Sequence, residues 1–130
     1  MIVLDASAAL EVLLATEAGA RCAPRLFAPG ESLHAPHLID VEVAQVLRRY
    51  SAAGELSEER GRGALADLSD MPLERYPHEP LLQRAWDLRR NLTAYDAVYV
   101  ALAEALEAPL LTRDARLARS RGHRARIELA

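Results

Sequence analysis

Short apolar segments alternate with amphipathic segments of helical period along the whole chain, and this alternation restricts the possible folds more than any other feature. The first apolar run covers residues 1–4 and ends at Asp5, and from Ser7 onward apolar residues recur at helical spacing. A short apolar run that ends at a turn is typical of a buried parallel strand. Strands that alternate with helices predict an α/β domain, with a parallel sheet covered by helices on both faces.

The same patterns place the remaining elements. We predict further strands at residues 32–35, 73–76, 109–112 and 124–129. The predicted helices start at Ser7 and then cover 36–53 (with Pro36 in the first turn), 57–70, 79–91, 94–108 and 114–119. The prolines and the glycine of 24–36 predict an internal loop region. A chain of 130 residues fits one compact domain, so we assign 1–130 to a single domain.

The charged residues exclude several kinds of chemistry. All sixteen cationic side chains are arginine, so a lysine Schiff base and a phosphate-binding lysine are both absent. Cys22 is the only cysteine, which excludes an intrachain disulfide or a paired-cysteine zinc site and suits a reducing compartment such as the cytoplasm. The apolar N-terminus has no basic segment before it and is interrupted by Asp5, so we expect neither a signal peptide nor a membrane span.

Four acidic residues are candidates for a functional site, two because they follow strands and two because their neighbours are apolar. Asp5 and Asp114 follow predicted strands, and ligands of open parallel sheets bind beyond the carboxyl ends of the strands. Each could instead cap the helix that follows it. Glu42 has apolar neighbours at helical spacing, and Asp96 lies in the first turn of a largely apolar helix. The alternatives are a helix-edge glutamate that reaches water, and an aspartate stabilised by the helix dipole.

A cluster of these four carboxylates would need a counter-ion. Two adjacent carboxylates repel each other by about 4 kcal/mol at 4 Å when the effective dielectric constant is near 20. Oxygen ligands without cysteine select a hard divalent ion, Mg²⁺ or Mn²⁺. An ion held in this way lowers the pKa of a bound water and stabilises charge on a phosphate, which suits hydrolysis of a phosphodiester.

The sequence resembles the PIN-domain ribonucleases, and among them the VapC-type toxins of bacterial toxin–antitoxin pairs. The resemblance covers essentially the whole chain, in the same order and spacing. Its segments are IVLDAS at 2–7, APHLIDVEV at 35–43, LTAYDAVYVALA at 92–103 and LLTRDARL at 110–117.

The resemblance implies a PIN fold with four or five parallel strands, a homodimer, and a pocket that holds Mg²⁺ or Mn²⁺ and cleaves single-stranded regions of tRNA or rRNA. It also implies a cognate VapB-type antitoxin that silences the enzyme. The acids of the pocket would be Asp5, Glu42, Asp96 and Asp114. Ser7 and Thr112 match positions that support the pocket by hydrogen bonds.

Two other functions compete with this hypothesis. The first is an inactive PIN-like module that binds RNA or protein. The presence of all four acids argues against this alternative. The second is a receiver or haloacid-dehalogenase-like phosphotransfer domain, which also has an aspartate after its first strand. That domain depends on a lysine, and the chain has none.

Six arginines lie between residues 113 and 126, where Asp114 is the only acid. They predict either a solvated surface or a patch that binds RNA phosphates, with Arg113 and Arg116 as the leading candidates because they flank Asp114. Asp40 precedes Glu42 by two residues and should face away from it on a helix. We expect His34 and His37 to be structural or solvent-facing, and we expect Leu82 and Trp86 to contact the core or a second subunit.

Overall fold

The computed structural model describes residues 1–130 and contains a five-stranded, fully parallel sheet. This confirms the α/β prediction. The strand order is β3-β2-β1-β4-β5. The strands are β1 (Ile2–Leu4), β2 (Leu33–Pro36), β3 (Leu73–Tyr76), β4 (Leu110–Thr112) and β5 (Ile127–Leu129).

Seven α-helices and one 3-10 turn connect the strands. Helices α1, α3 and α4 pack against one another, and α5 packs against α6. Since parallel crossovers are right-handed, this strand order requires α1–α4 on one face of the sheet and α5–α7 on the other. The helices are α1 (Ala6–Leu13), α2 (Glu17–Leu26), α3 (Leu38–Ala52), α4 (Glu58–Asp70), α5 (Leu82–Asp87), α6 (Ala94–Leu106) and α7 (Ala115–Ala118), and the 3-10 turn covers Glu79–Leu81.

Helix α2 corrects the prediction of a single first helix followed by a loop from Pro24. Ala15 has a left-handed φ of 53° and ends the first helix, after which the Thr16 hydroxyl caps α2. Pro24 lies inside this helix, so the predicted loop starts too early. Pro24 has no backbone N–H to donate to the carbonyl of Ala20, so α2 forms without this helical hydrogen bond.

Pro36 corrects a second boundary. It is the last residue of β2 and pairs with Tyr76 of β3, and α3 begins at Leu38 with His37 at its cap position. The predicted helix over 79–91 is also shorter, because a 3-10 turn precedes α5 and the helix ends at Asp87. The last strand begins at Ile127, three residues later than predicted.

The core lies around β1, β4 and α6. All residues of β1 and β4 are buried, as are eight consecutive residues of α6. The chain runs outward from β1 to β2 and β3, and then crosses back to β4 on the other side, so the sheet has its topological switch point between β1 and β4. Open parallel sheets bind ligands at this point. No helix has the length and apolar character needed to cross a membrane.

Candidate active site

A cleft of about 730 Å³ opens beyond the carboxyl ends of β1 and β4. Parallel pairing of Leu4 with Leu111 brings the next residues of both strands to the same edge of the sheet. All four acids predicted from the sequence line this cleft, and so do Ser7 and Arg113. The lining is completed by Ala6, Leu10, Glu11, Leu38, Val41, Gln45, Val46, Arg49, Tyr50 and Tyr95.

Asp5 is fixed by two hydroxyl groups and does not cap its helix. Ser7 Oγ donates to Asp5 Oδ2 at 2.5 Å, and Thr112 Oγ1 donates to the same oxygen at 2.7 Å. The two hydroxyls in turn accept hydrogen bonds from the backbone N–H groups of Arg113 (2.9 Å) and Asp114 (3.0 Å). The side chain of Asp5 makes no capping hydrogen bond to α1. Asp5 is buried, and its second oxygen is free to bind a ligand.

Asp114 is the acid for which the capping interpretation holds. Its Oδ1 accepts from the backbone N–H of Arg116 at 2.8 Å and of Leu117 at 3.2 Å, which starts helix α7. Its Oδ2 is 3.6 Å from Arg116 Nη2. One oxygen of Asp114 therefore holds the local backbone, and the other is available to the cleft.

Glu42 receives a hydrogen bond from a buried tyrosine. The hydroxyl of Tyr99 donates to Glu42 Oε1 at 2.7 Å, and the Tyr99 side chain is completely inaccessible to solvent. Burial raises the pKa of Glu42, and the charges of Asp5 and Asp96 raise it further, whereas the hydrogen bond acts in the opposite direction. Burial and the nearby Glu42 charge also raise the pKa of Tyr99, so it remains a neutral donor.

Asp96 connects the cleft to Arg116. Its carboxylate is 3.8 Å from Arg116 Nη2, and its backbone N–H donates to the Thr93 hydroxyl that caps α6. Burial raises the pKa of Asp96, followed by the charges of Asp5 and Asp114, and Arg116 offsets part of this. The carboxylates of Asp5 and Asp114 thus act on Asp96 as like charges.

The donors in the cleft are carboxylate oxygens, which hard divalent cations prefer. No group of three or more acidic, histidine or cysteine side chains is arranged to hold a metal ion as it stands. A cation in the cleft would therefore have to draw these side chains together. The donor chemistry and the mutual repulsion fit such an ion.

The structure divides the six arginines of 113–126 by their partners. Arg113 lies 3.6 Å from Glu11 and donates to the carbonyl of Ala130, and Arg116 contacts Asp96 and Asp114. The guanidinium groups of Arg124 and Arg126 pair with Glu104 and Glu128. The other two, Arg119 and Arg121, have no acidic partner.

Sequence analysis missed two contributors to the cleft. Tyr99 has the pattern of a core residue, and nothing in its spacing indicates that Glu42 is its partner. Glu11 is a fifth acid of the cleft, where it accepts a hydrogen bond from Thr16 and lies near Arg113. The only feature of the sequence that could have indicated its place in the cleft is its position on the first helix, six residues after Asp5.

Asp40 lies outside the cleft, as expected, and forms a two-point ion pair with Arg75 at 2.8 and 2.9 Å. His34 is buried between the Tyr76 and Ser32 hydroxyls, at 2.7 and 2.8 Å, which confirms a structural role.

Leu82 and Trp86 do not belong to the core. Both are more than half exposed on α5, so the core contact that the sequence allowed is wrong, and the contact with a second subunit stays a prediction.

With this geometry established, comparison with known proteins identifies the class. The family model of the PIN domain matches residues 2–122. The chain therefore belongs to the PIN-domain family.

A closer group emerges from the relatives. The chain is 48% identical to Ribonuclease VapC12 of Mycobacterium tuberculosis over 129 residues, which covers 99% of this chain and 98% of the relative. It thus falls among the VapC ribonucleases.

Two solved structures share the fold. VapBC2 from Rickettsia felis, bound to a promoter DNA fragment, has a TM-score of 0.70 at 14% identity and covers 99% of this chain and 98% of its own. The sarcin-ricin loop cleaving toxin VapC20 of Mycobacterium tuberculosis has a TM-score of 0.66 at 16% identity, with 91% and 93% coverage.

Proposed function

We propose that this protein is a metal-dependent endoribonuclease that acts as the toxin of a toxin–antitoxin pair and hydrolyses phosphodiester bonds of RNA. The observation that carries the proposal is the cleft at the switch point of the sheet, which four acids line in a chain 48% identical to a ribonuclease. We expect tRNA or rRNA as the substrate.

The proposed catalytic and metal-binding residues are Asp5, Glu42, Asp96 and Asp114. The family implies a divalent cation, and we propose Mg²⁺ or Mn²⁺ because all the donors are oxygen atoms. When bound, such an ion supplies a water of lowered pKa and stabilises charge on the phosphate. Burial and, after it, the neighbouring carboxylate charges raise the pKa values of Glu42 and Asp96, and the repulsion between these charges would favour binding of the cation.

The protein's own groups would orient the acids. Ser7 and Thr112 both donate to one oxygen of Asp5, which leaves the other oxygen directed away from this network. A carboxylate held by two donors loses little conformational entropy when it binds a ligand. We therefore assign Ser7 and Thr112 a supporting role.

Arg113 and Arg116 are the proposed RNA-binding residues beside the acids. Arg113 lines the cleft, and Arg116 is mostly exposed while its guanidinium lies within 4 Å of Asp96 and Asp114. An arginine in this position can move from a protein carboxylate to an RNA phosphate with little change in the rest of the fold.

The proposal includes two protein partners and a location. A cognate VapB-type antitoxin would silence the toxin, in keeping with the VapBC2 structure that shares this fold. A homodimer would cover the exposed Leu82 and Trp86 of α5. Because the substrate is cellular RNA, we place the protein in the cytoplasm. The alternative of an inactive PIN-like binding module is not favoured, because relatives that are 48% and 46% identical to this chain are named as ribonucleases.

RNA cleavage by the purified protein tests the proposal. With Mn²⁺ or Mg²⁺, the wild type should cleave total tRNA or rRNA, and Asp5→Asn and Asp96→Asn should abolish cleavage while the circular dichroism spectrum is unchanged. Asp40→Asn is the matched control, because Asp40 lies on the same helix as Glu42 but pairs with Arg75 outside the cleft. Intact RNA after incubation with wild type, together with normal growth of cells that express it, would contradict the proposal.

Metal binding is tested separately by calorimetry. Mn²⁺ should bind to the wild type and bind more weakly to Glu42→Gln, because one charged ligand is lost. Equal affinity in both proteins would remove Glu42 from the set of ligands.

A further inference from the structure

A second cavity, of about 400 Å³, adjoins the cleft. Asp96 lines both cavities, and Arg116 reaches from the second cavity to Asp114 in the first. We call it the arginine pocket. Its polar lining includes Asn91, Thr93, Arg116, Arg119, Ser120 and Arg121.

Among the six arginines of 113–126, the two without acidic partners both line this pocket. The other four arginines of 113–126 are each within 4 Å of a carboxylate of this chain, whereas Arg119 and Arg121 are exposed and make no ion pair. Their positive charge is therefore not neutralised within the protein. An anion that entered the pocket would meet two free guanidinium groups without displacing an internal partner.

A neutral donor completes the pocket. The side-chain amide of Asn91 lies so close to Gly122 that a Cβ on that glycine would be 2.3 Å from Asn91 Nδ2. Gly122 also has a φ of +88°, which side chains rarely adopt. The glycine thus leaves space for the Asn91 amide to lie beside it in the lining of the pocket. This amide makes no hydrogen bond within the protein, whereas the Ser120 hydroxyl is already bonded to Leu117 and His123.

We infer that the arginine pocket binds a backbone phosphate of the RNA next to the bond that is cleaved. This inference rests on the proposed function and extends it. The pocket combines two unpaired guanidinium groups with an amide donor, and phosphate oxygens accept hydrogen bonds from both kinds of group. It is also continuous with the acids through Asp96, so that a strand placed across the cleft continues into the pocket. An acidic protein segment would need no such continuity with the catalytic acids.

Binding of RNA to a variant that cannot cleave it tests the inference. A fluorescein-labelled single-stranded RNA of about 12 nucleotides and mixed sequence is titrated with Asp5→Asn, and anisotropy is measured between 50 and 300 mM salt. For single strands, each phosphate contact contributes about 0.7 to the slope of log affinity against log salt. Removing one contact should therefore weaken binding about five-fold at 0.1 M salt, and removing two should weaken it about 25-fold.

The test variant adds Arg119→Ala and Arg121→Ala to Asp5→Asn, and we expect it to lose affinity and slope by these amounts. The matched control adds Arg60→Ala and Arg62→Ala, which are exposed, unpaired and also two residues apart, and which lie on α4 away from both cavities. The control changes the net charge equally. An equal loss of affinity in both would assign the effect to net charge and overturn the inference.

Asn91→Ala provides a test without any change in charge. It should weaken binding about three- to ten-fold, the range for one hydrogen bond, and leave the salt slope nearly unchanged. RNA affinity that is unchanged by both the arginine and the asparagine substitutions would overturn the inference. So would a result in which these substitutions weaken binding to a glutamate decapeptide but not to RNA, because the pocket would then bind protein carboxylates. Cleavage by the wild type is measured separately, so failure of the proposed function is distinguishable from failure of this inference.

Discussion

The hydrogen bond from Tyr99 to Glu42 joins the buried core to the cleft, and its removal gives a defined prediction. Tyr99→Phe deletes only the hydroxyl, which is buried and lies 2.7 Å from Glu42 Oε1. A hydrogen bond to a charged group contributes about 1.5–3 kcal/mol to the free energy of unfolding. Because Glu42 is only partly buried and can turn toward water, we expect the lower limit, about 1.5 kcal/mol, or a decrease of about 5 °C in the melting temperature.

The same substitution in a Glu42→Gln background separates the charged bond from simple packing. The amide oxygen can still accept from Tyr99, but a neutral hydrogen bond is about half as strong as a charge-assisted one. Tyr99→Phe should therefore cost about 0.8 kcal/mol in that background, which is a coupling free energy of about 0.7 kcal/mol. Urea denaturation at pH 7 in EDTA, followed by circular dichroism, measures all four proteins of the cycle.

Tyr95→Phe is the control, because Tyr95 lies on the same helix and its hydroxyl is exposed and makes no hydrogen bond. It should change the free energy of unfolding by less than about 0.5 kcal/mol. If Tyr99→Phe costs the same in both backgrounds, the hydroxyl stabilises the core by packing and not through the Glu42 charge, and the reasoning is refuted.

Two further predictions concern stability. Since the folded-state pKa values of Glu42 and Asp96 are raised, the folded protein retains protons that the unfolded chain releases near pH 4–4.5. The free energy of unfolding of the metal-free wild type should therefore decrease as the pH rises from there through the raised pKa values, and Glu42→Gln should become more stable relative to the wild type in urea denaturation over that range. A difference between the two proteins that does not change with pH would contradict the raised pKa of Glu42. Gly19→Ala places a Cβ 2.1 Å from the backbone oxygen of Glu11 and should lower the free energy of unfolding by about 1–3 kcal/mol. Gly63→Ala, whose Cβ would have no atom within 4 Å, should raise it by up to about 1 kcal/mol in the same assay. Equal effects of the two substitutions would refute the close approach of α1 and α2.

The alternation of strands and helices, and the place of Asp5 and Asp114 after two of the strands, could be predicted from the sequence, because both follow from local patterns. An apolar run that ends at Asp5 and another that ends at Thr112 must bring these residues to the same edge once the strands are parallel neighbours. The helix break at Ala15 could not be predicted, because a left-handed residue is signalled by glycine or asparagine and alanine gives no such sign.

The partners of individual side chains were also beyond the sequence. Tyr99 and Glu42 are 57 residues apart, and an aromatic residue on a buried helix is ordinarily part of the core. The arginines near the C-terminus form one cluster in the sequence. In the structure some of them are paired with acids that can lie far away along the chain, as Arg124 is with Glu104, and others are not. Sequence patterns predict the kind of site, whereas the packing of the folded chain determines which arginines remain free to bind a ligand.

The cleft combines two opposing demands, and the hydrogen bonds of the acids explain how the fold meets both. Burial destabilises the charged forms of Glu42 and Asp96, and the neighbouring carboxylates add to this effect, so the pKa values of both residues are raised. The hydroxyls on Asp5, the tyrosine on Glu42 and the backbone groups on Asp114 each neutralise part of this cost while they fix one carboxylate oxygen. In the proposed metal site the remaining oxygens repel one another, and this repulsion would favour binding of a cation. A site in which every oxygen was satisfied by the protein would be more stable and would lack the driving force to bind a metal ion.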